Sequence, residues 1–175
     1  MKTIKEYFDL IEIKEFSSYR PLEEETKFIK YDAKLFVVNS PFFVFLIRDN
    51  NLRGLSLIET VKNSIEYIDR EINIEGSFHW RFPIETCQLK KGNCVDIANL
   101  LSSIIISFYN KAEFYSAFGA YKGNPHTYNI FIFNNKLYLV DVMLSVFIEI
   151  EKMPDNYSLD KLVKNNIIYT VNKEI

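Results

Sequence analysis

The chain has 175 residues with 21 Lys and Arg against 23 Asp and Glu, a net charge of −2, so no global field favours nucleic acid or an anionic membrane. One domain of that length buries a core without disulfide staples or a structural metal. Fifteen Phe and eleven Tyr set against five Gly and five Pro indicate a packed globule with short connections.

The first stretch, MKTIKEYFDLIEIKEF, carries Glu6, Asp9, Glu12 and Glu15. That is too much charge for the apolar run of a signal peptide, so secretion is not expected. Over residues 4–16 the apolar positions fit helix and strand alike. AKLFVVN (33–39) reads as a short apolar strand or loop. A helix follows, with Ser40 as cap and Pro41 in the first turn, ending at Asp49-Asn50-Asn51. SLIETVKNSIEYIDREI (56–72) is the clearest helix: Ser56 and Glu59 form a capping box, and Leu57, Ile58, Val61, Ile65, Ile68 and Ile72 make one stripe. From Asn73 to Asn93, Gly76, Pro83 and Gly92 interrupt any period, which predicts an irregular connection draped over the surface. Ordered loops of that length often carry function.

In KKGNCVDIANLL (90–101) a polar turn becomes an apolar helix, and Cys94 stands at the junction. The uncharged run Ile97 to Asn110 is shorter than the ~20 residues that span a bilayer. It also contains Ser102, Ser103 and Ser107, and reads as a buried core helix. AEFYSAFGAY (112–121) then reads as a strand and KGNP (122–125) as a turn. HTYNIFIF and KLYLVDVM form a hairpin around Asn134-Asn135. Ser145 to Ile150 adds a strand, and SLDKLVKNN (158–166) a late helix. Helices first and an antiparallel meander after them is the α+β order.

A thiolate is the reactive form of cysteine, and a helix amino terminus favours it. Gly92 permits a tight turn, Asn93 is a good N-cap, and a rigid apolar helix holds the sulfur in place with its backbone N–H free to face an oxyanion. Without partners such a cysteine is a small core residue, so the partners decide. The chain has two histidines, His79 and His126. If Phe133 pairs with Lys136, the same register puts Tyr128 opposite Asp141 and His126 opposite Met143. His126 and Asp141 then become diagonal neighbours with Cβ atoms about 7–8 Å apart. A one-residue slip would send them to opposite faces. Their face is shared with Ile130, Ile132, Leu137 and Leu139, where an unpaired Asp141 would be costly. Cys87 and Cys94 are too few for a disulfide framework. Joined with His79 and His126 they have no regular zinc spacing, so no metal or cofactor is expected and the compartment reads as reducing cytoplasm.

The segments HWRFPIETCQLKKGNCVDIANLLSSII, GAYKGNPHTYNIFIF and LYLVDV together resemble the transglutaminase-like superfamily of bacterial and archaeal cysteine peptidases, over roughly residues 55 to 145. Trp80, Pro83, Glu85, Thr86, Gly92, Cys94, Asp96, His126 and Asp141 fall in that family's order. The resemblance implies a papain-like α+β fold, a buried central helix packed on an antiparallel sheet. It divides one domain, 1–175, into an amino-terminal helical or extended region (1–54), a catalytic core (55–145) and a carboxy-terminal extension (146–175). It also implies Cys94 as nucleophile, His126 as general base and acid, and Asp141 as the orienting carboxylate. Trp80 and Gln88 are the two candidates for a second oxyanion donor, and Asp96 supports the helix start.

The expected function is cysteine-dependent acyl transfer on amide or peptide bonds through a thioester. Hydrolysis is favoured over crosslinking because the chain is small. A protein or peptide is the expected substrate, with no nucleic acid or membrane partner and the oligomeric state open. Asn93, Val95, Thr127, Tyr128 and Val142 depart from the family's usual residues. They bear on substrate class, and those flanking Cys94 and His126 favour the alternative, a catalytically inactive binding or scaffold domain, against which the survival of all three triad residues argues.

Overall fold

The computed structural model describes residues 2–22 and 28–172. The mixed signal at the start resolves as one helical turn, α1 (Ile4–Tyr7), followed by β1 (Leu10–Ile13). Strands β2 (Ser17–Pro21) and β3 (Phe28–Asp32) pair antiparallel with each other, and Ala33–Phe36 forms a 3-10 turn. Helix α2 (Pro41–Asp49) begins where Ser40 Oγ accepts from the Phe42 N–H. At α3 (Leu57–Glu71), Ser56 Oγ accepts from the Glu59 N–H, while the Glu59 carboxylate takes the N–H of Leu55, one residue ahead of the usual partner.

The stretch from Asn73 to Asn93 is not an irregular surface connection. It contains β4 (Asn73–Ile74), α4 (Pro83–Leu89) and β5 (Lys91–Gly92), and β4 pairs parallel with β5. Pro83 opens α4, Glu85 accepts from the Phe82 N–H at 3.1 Å, and Lys90 ends it with a left-handed φ of 54°. Two turns are too few for apolar periodicity to show, which is why the pattern reads as loop. Arg81 and Thr86 are buried, which ties the segment inward.

Helix α5 (Cys94–Phe108) runs through the core. Leu100, Leu101, Ile104 and Ile105 have no exposed surface. After it come β6 (Glu113–Tyr121), β7 (Asn124–Phe133), β8 (Lys136–Asp141), β9 (Val146–Ile150), β10 (Tyr157–Lys164) and β11 (Ile167–Val171). With β1 they form a seven-stranded antiparallel sheet in the order β1-β11-β10-β6-β7-β8-β9. The α+β reading therefore holds: a buried central helix packs on a large antiparallel sheet. Residues 146–171 supply three of that sheet's strands.

The β7–β8 hairpin turns on Asn134 and Asn135, with φ 50° and 61°. Both central residues have positive φ, as in the type I′ turn that matches strand twist. Pairing runs from Phe133↔Lys136 to Asn129↔Val140, the register read from the sequence. It stops there: residues 142–145 turn away, so Met143 does not oppose His126. The β6–β7 turn is tighter than KGNP, because only Lys122 and Gly123 turn while Asn124 and Pro125 already pair in β7.

Residues 158–166 are not a helix. Leu159, Leu162 and Val163 have helical spacing, but β10 is bulged between Leu159 and Lys161, and a bulge resets the alternation of a strand by one residue. At this bulge β6 and β10 come very close. A Cβ on Gly119 would lie 1.9 Å from the Ser158 carbonyl oxygen. The tie that matters most for function joins β7 to α5: Asn129 Nδ2 donates to the Ala98 carbonyl at 3.0 Å and to Ser102 Oγ at 2.9 Å.

Candidate active site

Asn93 caps α5 on three sides. Its Oδ1 accepts from the Asp96 N–H at 3.1 Å, and its Nδ2 donates to the carbonyls of Ser77 at 2.9 Å and His79 at 2.8 Å. The loop before α4 is thereby pinned to the helix start that carries Cys94. Asp96 completes the box, accepting from the N–H groups of Asn93 at 3.2 Å and Arg81 at 2.6 Å. The Arg81 guanidinium bridges Asp96 and Glu75. Burial pushes the Asp96 carboxyl up to about 6 against these donors. Asp96 thus supports the helix start, as its position suggested. Gly92 is required by contact here, since a Cβ would sit 2.7 Å from that of Asp96.

His126 lies near the start of β7 and Asp141 at the end of β8. The ring Nε2 and Asp141 Oδ2 are 2.7 Å apart, which leaves the other ring nitrogen for the Cys94 thiol, whose pKa the ring lowers. Asp141 is 1% exposed, and a lone carboxylate there would cost several kcal/mol. It is held by two further donors: Tyr157 Oη at 2.9 Å on Oδ2 and the Leu144 N–H at 3.3 Å on Oδ1. Hydrogen bonds to a charged group contribute about 1.5–3 kcal/mol each, enough to offset the burial.

The electrostatics of Cys94 and His126 move in opposite directions. Burial alone would raise the Cys94 thiol. The His126 hydrogen bond, the Thr127 N–H, the His126 charge and the Val95 N–H together bring it below the ordinary thiol value. Burial alone would lower His126, but the hydrogen bonds that its ring donates to Asp141 and Cys94 and the charges of both carry it to about 9. A thiolate facing an imidazolium is the favoured protonation state of such a pair.

Cys94 and His126 open into a cavity of about 570 Å³. Its wall includes Phe36, Trp80, Asn99, Phe118 and Val163. Of the two oxyanion candidates, Trp80 lines this cavity and packs edge-on to Tyr31 and Phe36, with ring centroids 6.1 and 6.2 Å away. Gln88 does not come to the thiol: it is exposed on α4 and outside the cavity wall. Cys87 is buried and pushed up to about 12, an inert thiol. Among the described residues no three His, Cys, Asp or Glu side chains converge as a metal site.

Tyr157 is the site residue that sequence reasoning missed. It lies beyond the segment that carries the resemblance, next to residues read as a helix, and only the pairing of β10 with β6 brings it to Asp141.

No family model and no curated protein matches this sequence. Among solved structures, Legionella pneumophila LapG superposes with a TM-score of 0.59 over 74% of this chain and 76% of its own, at 13% identity. The chain therefore shares the fold of LapG.

Proposed function

We propose that the protein is a cysteine-dependent acyl-transfer enzyme that cleaves an amide or peptide bond. Cys94 attacks the carbonyl carbon and the carbon–nitrogen bond breaks. His126 gives its proton to the departing amine, and a thioester remains on the sulfur. Water then attacks the thioester with His126 taking a proton, the carbon–sulfur bond breaks, the acid product leaves, and the thiolate–imidazolium pair is restored. Asp141 holds the imidazole tautomer and tilt. The backbone N–H of Cys94 and the Trp80 indole are the proposed oxyanion donors. The observation that carries the reading is the Cys94–His126–Asp141 chain of contacts at the mouth of a cavity. The fold shared with LapG supports the reading at the level of the fold.

Iodoacetamide labelling across pH tests it. Cys94 should react at pH values well below about 8.5, the ordinary thiol value, and His126→Ala should move the labelling midpoint up to or above that value. Peptide-amide turnover should fall on the alkaline side near pH 9, where His126 loses the proton it must donate. Labelling confined to alkaline pH in both proteins would identify a binding or scaffold domain that has the fold without the chemistry.

A further inference from the structure

Lys161 stands just past the bulge of β10, where it pairs with Phe118 of β6, and Phe118 pairs in turn with Thr127 of β7. Directly paired residues share a face of the sheet, and all three line the cavity that holds the thiol. Neighbouring strands lie about 4.8 Å apart, which puts the Cα atoms of Lys161 and Thr127 about 10 Å from each other. Thr127 adjoins the sulfur: its N–H is among the groups that bring the Cys94 thiol down. The Lys161 ammonium rests 4.3 Å from the centre of the Phe16 ring, another part of the wall. It makes no hydrogen bond or ion pair among the described residues. Lys161 is half-buried, yet its Nζ is not one of the buried polar atoms that lack a partner, so the ammonium itself is accessible to a ligand. The carboxylates of the same wall are engaged. Glu75 pairs with Arg81, and Asp160, exposed at the bulge, has a partner of its own. The cavity thus offers one cation beside the sulfur, the His126 imidazolium, and a second further off with which no described carboxylate pairs.

We propose that Lys161 is a specificity-determining residue that binds a carboxylate of the substrate, at a distance from the scissile bond set by the spacing of β10 from β7. This rests on the acyl-transfer reading only for the place of the reacting carbonyl. An ammonium has three donors and no acceptor, so its best partner is an anion that accepts. A carboxamide takes the hydrogen bond without the charge, and a substrate ammonium is repelled by Lys161 and by His126 alike. Phe16 and Phe118 share the wall with Lys161, and a charge pair beside apolar rings is screened less than one on open surface. An extended chain advances about 3.3 Å per residue, so the carboxylate falls about two to three residues from the bond attacked. It is a recognition group, supplied by a Glu or Asp side chain or by the end of a short peptide.

Alkylation of Cys94 by tethered probes tests this without turnover. At about pH 8.5, where an ordinary thiol also reacts, rates are measured with bromoacetyl-oligoglycyl-Glu-amide against the matching Gln-amide, over glycine spacers of increasing length. Bromoacetyl-oligoglycine acids against their amides form a second series, and peptide mapping confirms Cys94 as the residue alkylated. In the wild type the acid-to-amide rate ratio should pass through a maximum of about 10-fold at an intermediate spacer. The maximum appears in the first series where a side chain is the group recognised and in the second where a chain end is. The His126 charge also favours acids, but most at the shortest spacer. In Lys161→Met the maximum should vanish. In Lys161→Glu a Lys-amide probe should overtake the Glu-amide probe at the same spacer. Loss of fold flattens the ratio but cannot reverse it, which makes Lys161→Glu the deciding variant. A wild-type ratio that ignores spacer length, a maximum that survives in Lys161→Met, or no reversal in Lys161→Glu overturns the proposal. Failure of the acyl-transfer reading shows separately, as loss of the low-pH limb of iodoacetamide labelling in the wild type.

Discussion

Asp141 Oδ2 receives both the His126 ring and the Tyr157 hydroxyl, so one oxygen is shared between the residue that would move protons and a phenol from another strand. Burial and the Asp141 contact hold the Tyr157 hydroxyl well above its usual range, so it remains a donor at every pH of interest. Replacing Tyr157 with Phe removes that donor and keeps the ring that packs on Tyr121 and Tyr128, with centroids 4.9 and 5.0 Å away. The carboxylate then shares its charge with one partner fewer and grips the His126 proton harder. The alkaline limb of the rate profile should therefore move to higher pH in Tyr157→Phe. Stability should fall by about 1–3 kcal/mol, read by urea denaturation. A purely structural role for Tyr157 would lower stability and leave the alkaline limb in place.

At the bulge, β10 lies so close to β6 that only a residue without a side chain fits, and Gly119 is that residue. A methyl group there would meet the Ser158 and Leu159 backbone, which no rotamer change relieves. Gly119 also pairs with His126 across β6–β7, so spreading β10 from β6 disturbs the strand that presents the imidazole. Gly119→Ala should cost about 3 kcal/mol or more in urea unfolding. Gly76→Ala, with nothing within 4 Å of its added methyl, should stay within about 0.5 kcal/mol of the wild type. The same bulge marks where the sequence stopped being readable. Elements whose signal is local were legible: Ser40-Pro41 and Ser56 at helix starts, the Asn134-Asn135 turn, and the register that brings His126 to Asp141. Where tertiary pairing overrides local pattern the reading failed. Leu159, Leu162 and Val163 imitate a helix across a bulge, α4 is too short to show a period, and Tyr157 reaches the site through a strand pairing with no local mark. Gln88 failed for the related reason that spacing from a cysteine does not say which face of a two-turn helix looks inward.

For the molecule as a whole, the Cys94–His126 pair ties stability to pH through two opposed contributions, and removing one partner leaves the other uncompensated. His126 is raised from 6.5 to about 9 on folding. Its contribution is complete below pH 6.5 and is lost as pH rises through about 9, because over that window the native state keeps a proton that the unfolded chain has released. Cys94 is lowered from 9.0. Its contribution is present above pH 9 and is lost as pH falls through its native value, because there the unfolded chain holds a proton that the native state lacks. Where their windows overlap the two slopes have opposite signs, so the wild type should lose less stability with rising pH than the His126 shift alone would give. In Cys94→Ser the thiolate's half of the linkage is gone. His126 keeps Asp141, the largest cause that raises it, and remains above 6.5 by a smaller margin. That variant should lose stability steadily as pH rises from about 6.5, by up to ~3 kcal/mol if the whole shift were retained, and by less because part of it came from the sulfur. Urea midpoints measured at intervals across this range check the sign. Parallel profiles for wild type and Cys94→Ser would mean that no proton passes between thiol and imidazole in the folded protein.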